Sequence, residues 1–135
     1  MENEAQLNDL IRRYPALSPC RASIRAAYEL LLACYQSGGK LLVCGNGGSA
    51  ADAEHMGAEL MKGFRCKRPL PTAERAALTA IDPALGAYAA ERLQGGLPAL
   101  ALSGASALPT AVLNDVSGAM IYAKQVYALC RPGAQ

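Results

Sequence analysis

The sequence predicts an α/β fold in which helices flank a parallel sheet, and three observations carry that expectation. Leu41 to Cys44 is a short unbroken apolar run, as expected of a parallel strand covered on both faces. It leads through Gly45-Asn46-Gly47-Gly48-Ser49, a turn of small residues, straight into a helical pattern. A second apolar run, Ala99 to Ser103, is entered through Gly96-Leu97-Pro98, left at Gly104, and reads as the next strand. The 135 residues, 52% of them hydrophobic, suit one globular domain that buries roughly two thirds of its unfolded surface, so a sizeable core is expected.

Taken in order, Leu7, Leu10, Ile11 and Tyr14 recur at helical spacing before Pro15 and predict a short first helix. A longer helix follows, with Ser18 as N-cap, Pro19 in the first turn and Gly38-Gly39 as its end. Its apolar face is Ile24, Ala27, Tyr28, Leu31, Leu32 and Tyr35. These two stripes either cover their own sheet or are buried against another subunit.

Lys40 to Gly63 holds the strand, the glycine turn and a helix for which Ser49 is the expected N-cap, with Asp52 reaching back in the manner of a capping box. Such a turn aims backbone N–H groups outward, and at a helix N-terminus these favour an anion by about 0.3–1 kcal/mol when exposed and up to about 2 kcal/mol when partly buried. Spacings of three and four put Asp52, His55 and Glu59 on one face of this helix, opposite Ala50, Ala53, Gly57 and Leu60. The polar stripe is either a solvated surface or a ligand site. The second reading draws on its start at the carboxyl end of a strand, where open α/β sheets bind ligands.

Lys62, Arg65, Lys67 and Arg68 follow the helix; they either attract an anionic substrate or complement the negative helix terminus and face solvent. Residues 72–94 read as one or two alanine-rich helices interrupted near Asp82-Pro83 and closed by Gly95-Gly96. After the second strand a helix is expected from about Ser106 to Leu113, ended by Asn114-Asp115 as a turn or an Asx cap. The last helix is expected from Ser117 to about Cys130, stopped by Arg131-Pro132-Gly133.

A formal charge of +2, one Phe and no Trp give no support to a nucleic-acid partner. The polar N-terminus MENEAQLNDL lacks the basic and apolar regions of a secretory signal, so a cytoplasmic location is expected. The uncharged stretch from Leu93 to Asn114 is broken by Gly95, Gly96, Pro98, Gly104 and Pro109, which excludes it as a membrane span. Cys20, Cys34, Cys44, Cys66 and Cys130 are odd in number and contain no C-x-x-C pair, so buried or incidental thiols are expected rather than disulfides or a zinc knuckle.

Cys44-Gly45-Asn46-Gly47-Gly48-Ser49, with Asp52, His55 and Glu59 behind it, resembles the first half of the sugar isomerase (SIS) domain of bacterial phosphoheptose isomerases. The resemblance implies a three-layer SIS-type parallel sheet, incomplete at the C-terminus, with N-terminal helices that pack between the subunits of a homotetramer. It implies one partial SIS domain over residues 1–135, with a helical insertion at about 66–96. It also implies ketose–aldose isomerisation of sedoheptulose 7-phosphate, with Glu59 as the base and Asn46, Gly47, Gly48, Ser49, Asn114 and Asp115 contacting the phosphorylated sugar. By the same resemblance His55 and Glu59 would ligate zinc. The family's Ser/Thr-rich phosphate loop and its later Gln and His have no counterpart here, and His55 is the chain's one histidine. An alternative is therefore a non-catalytic SIS-family factor that binds a sugar phosphate or a protein as an oligomer.

Overall fold

The computed structural model describes residues 2–131. The chain divides into two units, Met1–Gly39 and Lys40–Gln135. In the first, α1 (Glu2–Arg13) and α2 (Arg21–Gln36) are joined by a 3₁₀ segment, Pro15–Cys20. The two helices share a polar clasp: Glu4 is paired with both Arg21 and Arg25, and Arg21 also donates to Asn8 Oδ1 at 2.6 Å. Ser18 and Pro19 fall inside the 3₁₀ segment, so Ser18 is not the N-cap; α2 starts three residues later, with Cys20 in the cap position. Tyr14 leaves the helical stripe as well, because Pro15 cannot extend the ladder and α1 stops before it. At the other end of α2 the expected glycine stop is present. Gly38 has φ +75°, its N–H reaches Tyr35 O, and the Gly39 N–H reaches Cys34 O at 2.8 Å, the paired bonds of a Schellman motif.

The second unit holds the sheet. β1 (Leu41–Val43) pairs in parallel with β2 (Ala99–Ala101), with Leu41, Leu42 and Val43 opposite Ala99, Leu100 and Ala101. Both strands are shorter than the sequence predicts. After the Leu102 N–H bonds to Val43 O, the chain turns at Gly104, whose N–H returns to Ala101 O, so Cys44 and Ser103 have no partner strand to follow. α3 (Gly48–Met61) lies on both strands with Ala53 and Gly57 buried, and Gly57 sits directly over Ala99 and Ala101. The expectation of strands covered on both faces is corrected: Leu100, pointing the opposite way in the pleat, is 46% exposed. The sizeable core is corrected with it. The buried hydrophobic side chains among the described residues are Ala53, Ala90, Ala99, Leu102 and Val112, mostly alanine, because a two-stranded sheet gives the helices little surface to pack on.

Between the strands, α4 (Thr72–Ile81) and α5 (Pro83–Arg92) form a helical hairpin. Its corner is the Asp82-Pro83 break: Asp82 Oδ1 accepts from Ala84 N at 2.9 Å and Leu85 N at 2.7 Å, capping α5, while Pro83 takes the first helical position where no N–H is needed. Gly86 lets the two helices touch, since a Cβ there would run into the Leu78 carbonyl. The hairpin's base is tied by Arg68, which donates to Gly95 O at 2.6 Å and to Leu60 O at the end of α3, and by an antiparallel bridge between Pro69 and Gln94.

After β2 come α6 (Ala107–Asp115), a 3₁₀ turn at Gly118–Met120 and α7 (Ile121–Leu129). α6 runs two residues further than expected, so Asn114 and Asp115 belong to its last turn rather than following it. Lys40 Nζ donates to Leu129 O at 3.0 Å and so supplies positive charge at the end of α7. Pro132 and Gly133, the predicted stop, lie outside the described residues. No helix among the described residues is long and apolar enough to cross a membrane.

Candidate functional site

Gly47 shapes the junction between β1 and α3. It is the N-cap of α3 with φ 57° and ψ −125°, a conformation open to glycine and costly for a side chain. Ser49 is therefore corrected from N-cap to second residue of the helix. A positive φ at Gly47 brings the chain into helical geometry one step earlier, and no side chain caps α3. Ser49 N–H turns back to Asn46 O at 3.2 Å and Ala50 N–H to Gly47 O at 3.0 Å. The N–H groups of Gly47 and Gly48 have no partner among the described residues, and the space where a Gly48 side chain would stand is open. Asn46, Gly47, Gly48 and Ser49 are all exposed. The junction thus offers two unused donors at the positive end of a fourteen-residue helix, an arrangement that suits a phosphate or carboxylate.

Two turns along α3, His55 Nε2 and Glu59 Oε1 meet at 3.0 Å, the helical spacing of four bringing them together. Both are open to solvent, the His55 side chain at 74% and Glu59 at 45%. Asp52 is exposed on the same helix. The predicted small face is realised opposite them, with Ala53 and Gly57 buried and Ala50 and Leu60 half-buried.

Asn114 and Asp115 contact one another, Asn114 Nδ2 donating to Asp115 Oδ1 at 2.8 Å. Among the described residues no hydrogen bond joins either to the turn or to the His55–Glu59 pair. The residue that does reach the turn is Tyr122, on α7, whose hydroxyl lies 2.7 Å from Gly45 O and 2.7 Å from Asn46 Oδ1. Nothing local in the sequence signals it, since it stands 76 residues from Asn46 and a helical tyrosine carries no motif.

The basic cluster after α3 divides. Arg68 is half-buried and serves the carbonyl of Leu60, whereas Lys62, Arg65 and Lys67 are exposed. Lys67 also borders a cleft of about 300 Å³ at the base of the hairpin, with Pro69, Arg75, Glu91, Arg92 and Gln94. None of the five cysteines is in a disulfide and none is buried: Cys20, Cys44 and Cys66 are exposed, Cys34 and Cys130 half-buried, so the buried reading falls.

Zinc is tested by the donors present. His55 and Glu59 converge from one helix and give two ligands, while even an open catalytic site takes three from protein. Among the described residues no third His, Cys, Asp or Glu joins them. Among the described residues the donors therefore fall one ligand short of a zinc site.

The family profile of the SIS domain matches residues 6–96. Among curated relatives, the phosphoheptose isomerase of Shewanella denitrificans is 37% identical over 111 residues, covering 82% of this chain and 43% of its own length. That of Shewanella piezotolerans is 38% identical over the same shares. The chain therefore spans under half the length of these relatives. Among solved structures, the phosphoheptose isomerase GmhA of Neisseria gonorrhoeae superposes with a TM-score of 0.54 at 29% identity, covering 96% of this chain and 50% of that one. The small parallel sheet with helices, including the two N-terminal helices, matches the SIS-type α/β arrangement of GmhA. With a family profile running over more than half of its residues, the chain belongs to the SIS domain family.

Proposed function

We propose that this chain is a sugar-phosphate-binding SIS domain of phosphoheptose isomerase type, built to act on sedoheptulose 7-phosphate. The observation that carries the reading is the β1–α3 junction, where the unpaired Gly47 and Gly48 N–H groups stand at the head of the helix that bears Glu59. The phosphate or an adjacent oxygen of the sugar takes those donors, Asn46 and Ser49 meet hydroxyls, and Asn114-Asp115 closes over the ligand. Ketose–aldose isomerisation needs a base beside the carbonyl, and Glu59 is that base. Residues 1–135 are one partial SIS domain, with the hairpin region at about 66–96 as an insertion.

For these 135 residues alone the reading is weak binding, short of millimolar affinity, rather than turnover. Helix-terminal N–H groups contribute up to about 2 kcal/mol, whereas millimolar affinity needs about 4 kcal/mol. The one histidine is engaged with Glu59, which leaves a base without a separate acid. That arrangement favours the second reading, a non-catalytic SIS factor binding a sugar phosphate or a protein. The test is an isomerisation assay on sedoheptulose 7-phosphate with this chain and with a version carrying a family-type C-terminal third. We expect little or no turnover from the first and activity from the second; robust turnover by the short chain would overturn the assignment.

Zinc binding is proposed to be weak, with His55 and Glu59 as its two ligands, and titration calorimetry should show it lost in His55→Ala. Tight binding that survives the substitution would mean the ligands are misassigned. A homo-oligomer, a tetramer by family, is proposed because Tyr28, Leu30 and Leu32 of α2 remain exposed. A stable, folded monomer in sedimentation at micromolar concentration would contradict it.

A further inference from the structure

The contact between Tyr122 and the turn cannot hold as two donated bonds. A phenol has one proton, yet its oxygen lies 2.7 Å from two acceptors, the Gly45 carbonyl and the Asn46 side-chain oxygen. If Tyr122 donates to Gly45 O, the Asn46 oxygen faces a lone pair at hydrogen-bond distance; if it donates to Asn46, Gly45 O does. The backbone carbonyl is fixed as an acceptor, whereas the two ends of an asparagine amide have nearly the same shape and exchange by a half-turn.

We infer that Tyr122 is a positioning residue that sets Asn46 with its amide nitrogen inward, Asn46 Nδ2–H donating to the Tyr122 oxygen and Tyr122 O–H donating to Gly45 O. Every group in that chain is satisfied, and each bond polarises the next. The consequence lies on the outer side. The Asn46 carbonyl oxygen is turned toward solvent, next in sequence to the unpaired N–H groups of Gly47 and Gly48. The turn then presents two donors and one acceptor. A bare phosphate can use only the donors, while a polyol phosphate can also give a hydroxyl proton to Asn46. Tyr122 thereby biases the site toward the hydroxylated ester over the inorganic ion. This rests on the sugar-phosphate reading above, although the orientation of Asn46 does not.

The experiment has two arms. In ¹⁵N-labelled protein, the Asn46 side-chain amide should show one proton protected and shifted by hydrogen bonding, and Tyr122→Phe should remove that protection. An Asn46 amide with both protons freely exchanging in the unsubstituted chain would overturn the inference, whatever ligands bind and however well the variant folds. In NMR titrations, Tyr122→Phe should weaken sedoheptulose 7-phosphate about tenfold, the loss of one well-made hydrogen bond to a ligand, and change inorganic phosphate less than about twofold. Asn46→Ala combined with Tyr122→Phe should be no weaker than Asn46→Ala alone. Equal losses for both ligands, or losses that multiply in the double variant, would contradict a positioning role. Should sedoheptulose 7-phosphate fail to bind at all, the proposed function falls and the labelled-amide result still decides the inference.

Discussion

The α4–α5 hairpin and the β1–α3 junction both rest on a glycine and a helix start, and they use them in opposite ways. At the hairpin's corner the donors are spent: Asp82 closes the two leading N–H groups of α5, and Gly86 leaves room for one helix to touch the carbonyl of the other. At the junction Gly47 bends the chain through a positive φ, Gly48 faces open space, no side chain caps α3, and two N–H groups are left without a partner. Satisfied donors make a scaffold. Unsatisfied ones, held in place by the same kind of backbone, are what the proposed site rests on.

Substitutions that separate stability from binding test this contrast, and the largest effect is expected on chemistry. In a chain extended with the family-type C-terminal third, Glu59→Gln should lower isomerase turnover by about 10²- to 10⁴-fold with thermal unfolding unchanged, because shape is kept and the base removed. A fully active Gln variant would mean that the base lies elsewhere.

Next in size is Gly86→Ala. The added methyl meets the Leu78 carbonyl, which belongs to backbone and cannot swing aside, so urea unfolding should show a loss of about 3 kcal/mol. Asp82→Ala should cost about 1 kcal/mol in the same measurement, the usual loss for a side-chain N-cap. Sugar-phosphate affinity per folded molecule should be unaffected by either.

Gly48→Ala is the counterpart at the junction. Nothing stands where its methyl would go, so stability should change by less than about 1 kcal/mol and in the favourable direction, as for glycine to alanine at a compatible helical position. Ligand affinity should nevertheless fall, since the methyl crowds the free N–H groups. If Gly48→Ala unfolds the protein while Gly86→Ala does not, the roles of the two regions are reversed.

The sequence made the local devices legible. Asp82-Pro83 announces a break because proline cannot follow inside a helix and aspartate caps the next one. Gly38-Gly39 announces a stop, and the small residues of α3 announce the face that meets the sheet. The failures share a different origin. Ser18 and Ser49 are good N-caps in isolation, but a 3₁₀ segment displaces the first and the positive φ of Gly47 displaces the second. Arg68 reads as one of four surface cations, and only the fold brings Leu60 O and Gly95 O to its guanidinium. Tyr122 was invisible for the same reason, and Asn114-Asp115 turned out to be the end of a helix rather than a cap. Of the site, the turn and the His55–Glu59 pair were legible because four residues on a helix determine a contact; what approaches them from other elements was not.

Whether the ligand sits at the β1–α3 junction can be read from chemical-shift mapping of the ¹⁵N-labelled chain with sedoheptulose 7-phosphate. The largest perturbations should fall on the amides of Gly47, Gly48 and Ser49 and on the Asn46 side chain, with residues of the hairpin unmoved. Perturbations centred instead on Lys67, Arg75, Arg92 and Gln94, the cleft at the hairpin's base, would contradict it.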